Sequence, residues 1–195
     1  MELKKLENYA FKRLREEIHP NLLYHAPYHT LDVYETSEKI ARAENVDEHN
    51  ITLIKSAALL HDMGFIDSFV DHESFSVKIA NKILPDLGYI PEDIEIINSM
   101  IMKTKLPQLP ETLNEMVLCD ADLDYMGRND FYIHAHKLRE EMAFLGKPLD
   151  LIEWYQLQFD FLNNHHYFTK STASSREQKK QGYIAEIKEL LNIKK

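Results

Sequence analysis

The stretch Ala57-Ala58-Leu59-Leu60-His61-Asp62-Met63-Gly64 joins four apolar residues directly to an imidazole and a carboxylate. The apolar run reads as the interior of a buried helix, and Gly64 is suited to ending it. His61 and Asp62 are then delivered into a place poor in water, where each needs a partner. A divalent cation serves both at once, because it accepts a neutral imidazole and a carboxylate together. A hydrogen-bonded His-Asp pair that only stabilises the helix end would serve as well, and this stretch alone does not choose.

Outward from this helix, spanning 48–61 behind a plausible N-cap at Asp47, the spacing of apolar residues stays helical. It predicts helices over 2–18, 28–43, 73–84, 92–103, 112–125, 130–145, 149–163 and 175–191. The cluster Ser171-Thr172-Ala173-Ser174-Ser175 reads as a loop or cap before the last of them. No segment of useful length alternates as a half-buried strand does. The expected fold is all-α: a single-domain bundle of about nine helices over residues 1–195, with a motif core over about 22–126 and the C-terminal helices of 130–192 packing on it.

Composition agrees. Five glycines in 195 residues favour helix over a turn-rich β fold. A formal charge of −9 argues against nucleic-acid polymers and anionic membranes as partners, though a bound cation can reverse the field inside a cleft. The one cysteine, Cys119, has no intramolecular partner for a disulfide, which fits a reducing compartment. The opening Met1-Glu2-Leu3-Lys4-Lys5 lacks the apolar stretch of a signal peptide, and no apolar run reaches the ~20 residues of a membrane helix, so a cytoplasmic location is expected.

Two more segments carry chemistry. In Tyr24-His25-Ala26-Pro27-Tyr28-His29-Thr30-Leu31-Asp32-Val33, Pro27 suits a first helical turn. His29 would project from that turn with His25 just before it, so different jobs for the two histidines are natural. In Val117-Leu118-Cys119-Asp120-Ala121-Asp122-Leu123-Asp124-Tyr125-Met126-Gly127-Arg128, three carboxylates interrupt an apolar helix. Asp120 and Asp124 share one face and Asp122 another, so at least one is expected to face inward, where it needs a cation or donors.

The order of a histidine, then a His-Asp pair, then a distant aspartate on a separate helix resembles the HD-domain superfamily of metal-dependent phosphohydrolases. The resemblance spans about Leu22 to Met126. It implies an all-α fold and a metal site of His29, His61, Asp62 and a late aspartate. The family's last motif, matched to Ala121-Asp122-Leu123, points to Asp122 rather than Asp120. The Tyr24–Val33 segment is also similar to the signature of cyclic-nucleotide phosphodiesterases, a branch of the superfamily, with Ala26 in place of an asparagine. That likeness implies His25 as general acid and His29 as ligand. Phe65 follows Gly64 where branches with two metals often have a histidine, and Met102-Lys103-Thr104-Lys105 replaces another histidine segment. One tightly bound divalent ion (Mn, Fe, Co, Ni, Zn or Mg) is therefore expected, with His72 as a reserve ligand for a second.

Under this resemblance Asp62 both binds metal and orients water, and Glu73 is a candidate assisting base, although an acid at a helix start also suits the dipole. Lys103, Lys105 and Arg128 are candidates to hold the phosphate of a small phosphorylated substrate such as a nucleotide. His165 and His166, and the aromatic set of Trp154, Tyr155, Phe159 and Phe161, read as packing residues. The competing functions are a catalytically silent HD-type module that binds a nucleotide or a partner, and a metal-dependent oxygenase on the same scaffold.

Overall fold

Among the described residues, 1–192, the computed structural model contains nine α-helices and no strand. They are α1 (Leu3–Glu17), α2 (Pro27–Ala43), α3 (Glu48–Leu60), α4 (His72–Ile83), α5 (Pro91–Lys103), α6 (Leu113–Asp122), α7 (Phe131–Phe144), α8 (Leu151–Asn164) and α9 (Lys170–Asn192). The expected all-α bundle is what the chain forms. Local chemistry explains the starts. Asp47 caps α3 by accepting the Asn50 N–H at 2.9 Å, Pro27 and Pro91 open α2 and α5, and Thr112 and Asp150 form capping boxes with Glu115 and Glu153.

α3 is the centre of the first half. Ile51, Leu53, Ile54 and the whole run from Ser56 to Leu60 are buried, enclosed by α1, α2, α5 and α6. A second cluster, built on Phe131, Trp154, Leu162, Tyr183 and Ile187, holds α7, α8 and α9 together. Tyr24, Leu123, Tyr125 and Met126 belong to this second cluster although they precede α7 in the chain, so they stitch the C-terminal helices onto the motif-bearing half.

Two expectations need correction. Gly64 does not end α3, which stops at Leu60. Its part is to let two backbones touch: a Cβ there would lie 1.9 Å from the His72 carbonyl oxygen and 2.8 Å from the Ser76 nitrogen. The serine-rich stretch before the last helix is itself helical, because α9 begins at Lys170. Asp120 explains this early start. Its carboxylate accepts the backbone N–H groups of Phe168 and Thr169 at 2.8 Å and the Thr169 hydroxyl at 2.6 Å. Thr169 is thereby held just ahead of α9, where its carbonyl accepts the Ala173 N–H at 3.1 Å.

Removing the Asp120 carboxylate would leave the two backbone N–H groups without their acceptor in a mostly dry setting, while the Thr169 hydroxyl keeps Thr172 at 2.8 Å. Asp120→Ala is expected to lower stability by about 3 kcal/mol, read by denaturant unfolding, with metal content of the folded protein unchanged. An unaltered unfolding midpoint would show that Asp120 does not tie α6 to α9.

Candidate metal centre and cavity

The site begins where three helices end or start beside one another. Ala26 is extended and Pro27 occupies the first turn of α2, so His25 stands before the helix and His29 projects from its first turn. At the end of α3, the His61 Nδ1–H donates to the Ala58 carbonyl at 2.8 Å, which fixes the tautomer and leaves Nε2 facing inward. Ser76 locks the following turn: its hydroxyl donates to the His61 carbonyl at 2.6 Å and accepts the Gly64 N–H at 2.8 Å. α6 brings Asp122 in from the other side, with Oδ2 accepting from Gln108 at 3.1 Å.

These placements bring four of the expected side chains together. His29 Nε2 lies 3.1 Å from Asp122 Oδ1, 3.3 Å from Asp62 Oδ2 and 3.4 Å from His61 Nε2. His61 Nε2 is 3.0 Å from Asp62 Oδ2 and 3.6 Å from Asp122 Oδ1. His29, His61 and Asp122 can each offer one donor atom with all three within 4.8 Å of one another. Ligand bonds of about 2.1 Å would set adjacent donor atoms about 3.0–3.4 Å apart, so the spacing suits one divalent ion. A second observation agrees. Asp62 Oδ2 is buried and has no hydrogen-bond partner among the described residues, a costly state that an ion would relieve.

Asp120 is not part of this group, since both its oxygens serve the segment leading into α9. Asp124 is elsewhere too, accepting from Arg176 at 2.7 Å. The three aspartates of this segment thus serve three different partners.

The electrostatics of the group follow from its packing. Burial opposes charge on His29, but the Asp122 and Asp62 carboxylates outweigh it and push the imidazole up to about 9. His61 rises well above its ordinary value, against its burial, through the charge of Asp62 and the hydrogen bond to Asp122. Burial alone would raise both carboxyls. Contact with His29 and His61 instead brings Asp122 down to about 2, and the charges of His61 and His25 hold Asp62 well below the ordinary range.

The group opens into a cavity of about 490 Å³ between the two halves of the molecule. Asp62 and Asp122 face it from one end, and His25, His72, Glu73 and Lys105 line its sides. The far wall comes from α7 and α8, including Leu138, Met142, Trp154 and Phe161, so Trp154 and Phe161 line the cavity as well as packing the helices.

Known proteins are consistent with this arrangement. The HD domain family matches residues 28–126, which carry all four side chains of the group and just over half the chain. The chain belongs to the HD-domain family. That family is one of metal-dependent hydrolases, in keeping with a His/His/Asp group able to hold a metal ion. Nearly the whole HD-domain chain also superposes on the crystal structure of a predicted HD superfamily hydrolase from an uncultured Thermotogales bacterium. That protein is 18% identical, with a TM-score of 0.66, and the likeness covers 98% of this chain and 92% of that one. Comparison with curated proteins found no match.

Outside the four central residues, this HD domain arranges the other expected groups unequally. His72 Nε2 lies 3.3 Å from Asp62 Oδ1 and 3.6 Å from Glu73 Oε1, so Glu73 reaches the group only through His72. Phe65 stacks on the ring of His25 at 4.2 Å and on that of His72 at 3.9 Å, and the two imidazoles also meet each other, with centroids 6.0 Å apart. Lys105 faces the cavity in an ion pair with Asp71, whereas Lys103 is drawn to Glu111 at 2.8 Å. Arg128 does not line this cavity. It is pinned by Asp32 at 2.7 Å and Asp130 at 2.8 Å on a different face, apart from the other expected phosphate-holding groups. His165 packs away from the metal group, with Lys180 donating to its carbonyl at 2.7 Å.

Sequence reading missed two residues that matter. Gln108 orients Asp122, and Glu141 of α7 grips the segment before α2. Glu141 Oε2 accepts the backbone N–H groups of Tyr24 and His25 at 2.9 and 3.0 Å, while Oε1 forms a short hydrogen bond with His25 Nδ1. Glu141 lies 116 residues from His25 inside an ordinary charged run of α7, and no local pattern marks it.

A pH prediction follows for metal-free protein. His29 has a folded value of about 9 against 6.5 when exposed, so its contribution to stability is complete below about pH 6.5 and is lost as pH climbs through about 9. Asp122, at about 2 against 3.8, contributes above about pH 3.8 and loses its share as pH falls through about 2. In chelator, the thermal midpoint should therefore fall as pH rises from about 6.5 to 9, and saturating divalent metal should flatten that fall by holding the histidines neutral. A chelated protein whose midpoint rises across that window would contradict the charge arrangement.

Proposed function

We propose that this HD-domain protein is a metal-dependent phosphohydrolase that cleaves a phosphate ester or anhydride of a nucleotide or another small phosphorylated metabolite. The observation that carries the reading is the opening of the His29, His61, Asp62 and Asp122 group into one cavity with His25. A pure binding module has no use for such an open arrangement. A divalent ion held there would supply Lewis acidity, neutralising phosphoryl charge and making water more acidic.

The remaining chemistry belongs to the chain's own groups. Asp62 has one oxygen toward His29 and His61 and the other toward His72, so it is placed both to ligate and to orient water from its second oxygen. Glu73, beyond His72, is the assisting base of this scheme and takes a proton through that imidazole. His25 donates to the leaving oxygen from Nε2, because Nδ1 is committed to Glu141. Glu141 fixes the ring's orientation, the positioning that a carboxylate behind a catalytic imidazole provides. Phe65 holds the ring from its face. Lys105 is the cation nearest the substrate, and exchange of its partner Asp71 for a phosphoryl oxygen would bring it into play.

His61→Ala and Asp62→Ala should each abolish both stoichiometric metal, measured by elemental analysis, and phosphate release with added Mn²⁺. Full activity in either variant would overturn the site. Wild-type protein that neither holds metal nor releases phosphate from any mono- or dinucleotide would favour the silent binding module instead. His25→Ala should retain metal while kcat falls by about 10²- to 10⁴-fold. Glu141→Gln should retain metal and KM, lower kcat by about tenfold or more, and shift the acidic or basic limb of the pH–rate profile. A Glu141→Gln profile with unmoved limbs would leave that carboxylate only structural.

A further inference from the structure

The part of the cavity wall built by α8 bears on the substrate. Trp154, Leu157, Gln158 and Phe161 recur at helical spacing on α8, and all four line the cavity. Three of them are apolar. Gln158 is buried, 5% exposed, yet its amide has no hydrogen-bond partner among the described residues. Nor are its polar atoms sealed within protein, so they meet the cavity space. Gln108 differs, since it does not line this cavity and its amide nitrogen is committed to Asp122. A primary amide presents a donor and an acceptor side by side, the complement of a cyclic amide edge. Left unpaired in an apolar wall it is costly, so a ligand that pairs with it is preferred over one of equal shape that does not.

Charge limits the other end of the ligand. Among the described residues, the lining carries the carboxylates of Asp62, Asp71, Glu73 and Asp122, and Lys105 as its only lysine or arginine, already paired with Asp71. One phosphate can be met by the metal group and Lys105. A second and third would face carboxylates. A volume of about 490 Å³ is ample for a phosphate and one flat ring system.

Resting on the phosphohydrolase reading, we propose that the substrate is a monophosphate whose body is a flat heterocycle with a cyclic amide edge, a nucleoside monophosphate in chemical class, and that Gln158 selects it by pairing with that edge. The apolar faces of Phe161, Leu138 and Met142 enclose the ring, and Gln158 distinguishes heterocycles of like shape. Gln158 is thus a specificity-determining residue and takes no part in bond breaking.

The chain's one tryptophan, Trp154, lies in this wall and reports on it. The full-length protein in chelator would be titrated with inosine, which has the amide edge, and with purine riboside, which lacks it, following tryptophan emission. Inosine should bind about tenfold more tightly than purine riboside. Gln158→Leu should erase that preference, and so should Gln158→Met, which keeps the side chain's length without its donor and acceptor should the leucine variant fail to fold. Equal binding of the two nucleosides by wild-type protein, or a preference that survives both substitutions, would overturn the proposal. With Mn²⁺ added, inosine 5′-monophosphate should be hydrolysed with at least about tenfold higher kcat/KM than ribose 5-phosphate. Equal turnover of the two would sink this inference while leaving the hydrolase standing. The inosine preference without hydrolysis of any phosphate would sink the hydrolase and leave Gln158 as a reader of the heterocycle.

Discussion

Everything in this molecule is arranged around placing an imidazole and a carboxylate at the dry end of α3. Apolar packing by α1, α2, α5 and α6 buries that helix, and so His61 and Asp62 arrive where water is scarce. Their charges then need company. The fold supplies it by starting α2 and ending α6 at the same point, with His29 and Asp122 as the contributed groups. The Ser76 clamp and the contact of Gly64 with the backbone of α4 hold the turn in register, and place His72 and Glu73 along the cavity wall.

The nine helices were legible because they rest on local signals, apolar spacing and capping residues; polar groups set in apolar runs marked the segments that carry the four central residues, and likeness to a family assembled them into one set. The segment Asp120-Ala121-Asp122 was legible only in part. Its pattern says that some carboxylate faces inward, but choosing Asp122 required likeness to a family, since the competing duty of Asp120 lies with Thr169, 49 residues away. Ser171 to Ser175 misled for a related reason. Local propensity read it as a loop, and a tertiary contact set the start of α9 before it. Glu141, Gln108 and Gln158 could not have been found in this way. Each is an ordinary polar residue whose meaning lies wholly in what the fold sets opposite it.

The cations show the same limit. Arg128 follows the acidic segment and reads as a phosphate ligand, but Asp32 and Asp130 neutralise it against another face, where it helps to join the two halves. A chain with a charge of −9 has few cations to spare. Those beside the cavity are paired or remote, which leaves a bound metal as the principal positive charge for a substrate.

The residues matched by the HD family stop at 126, and the helices that follow supply Glu141 and the wall of Trp154, Gln158 and Phe161. On the proposed reading, the groups that would hold an ion all lie within the matched residues, whereas the apolar part of the cavity wall comes largely from the helices beyond them. Substitutions accumulating in α7 and α8 could redirect such a protein toward a new metabolite without disturbing its ligands. Duplicated copies would then be free to diverge in what they degrade while inheriting the same inorganic centre intact.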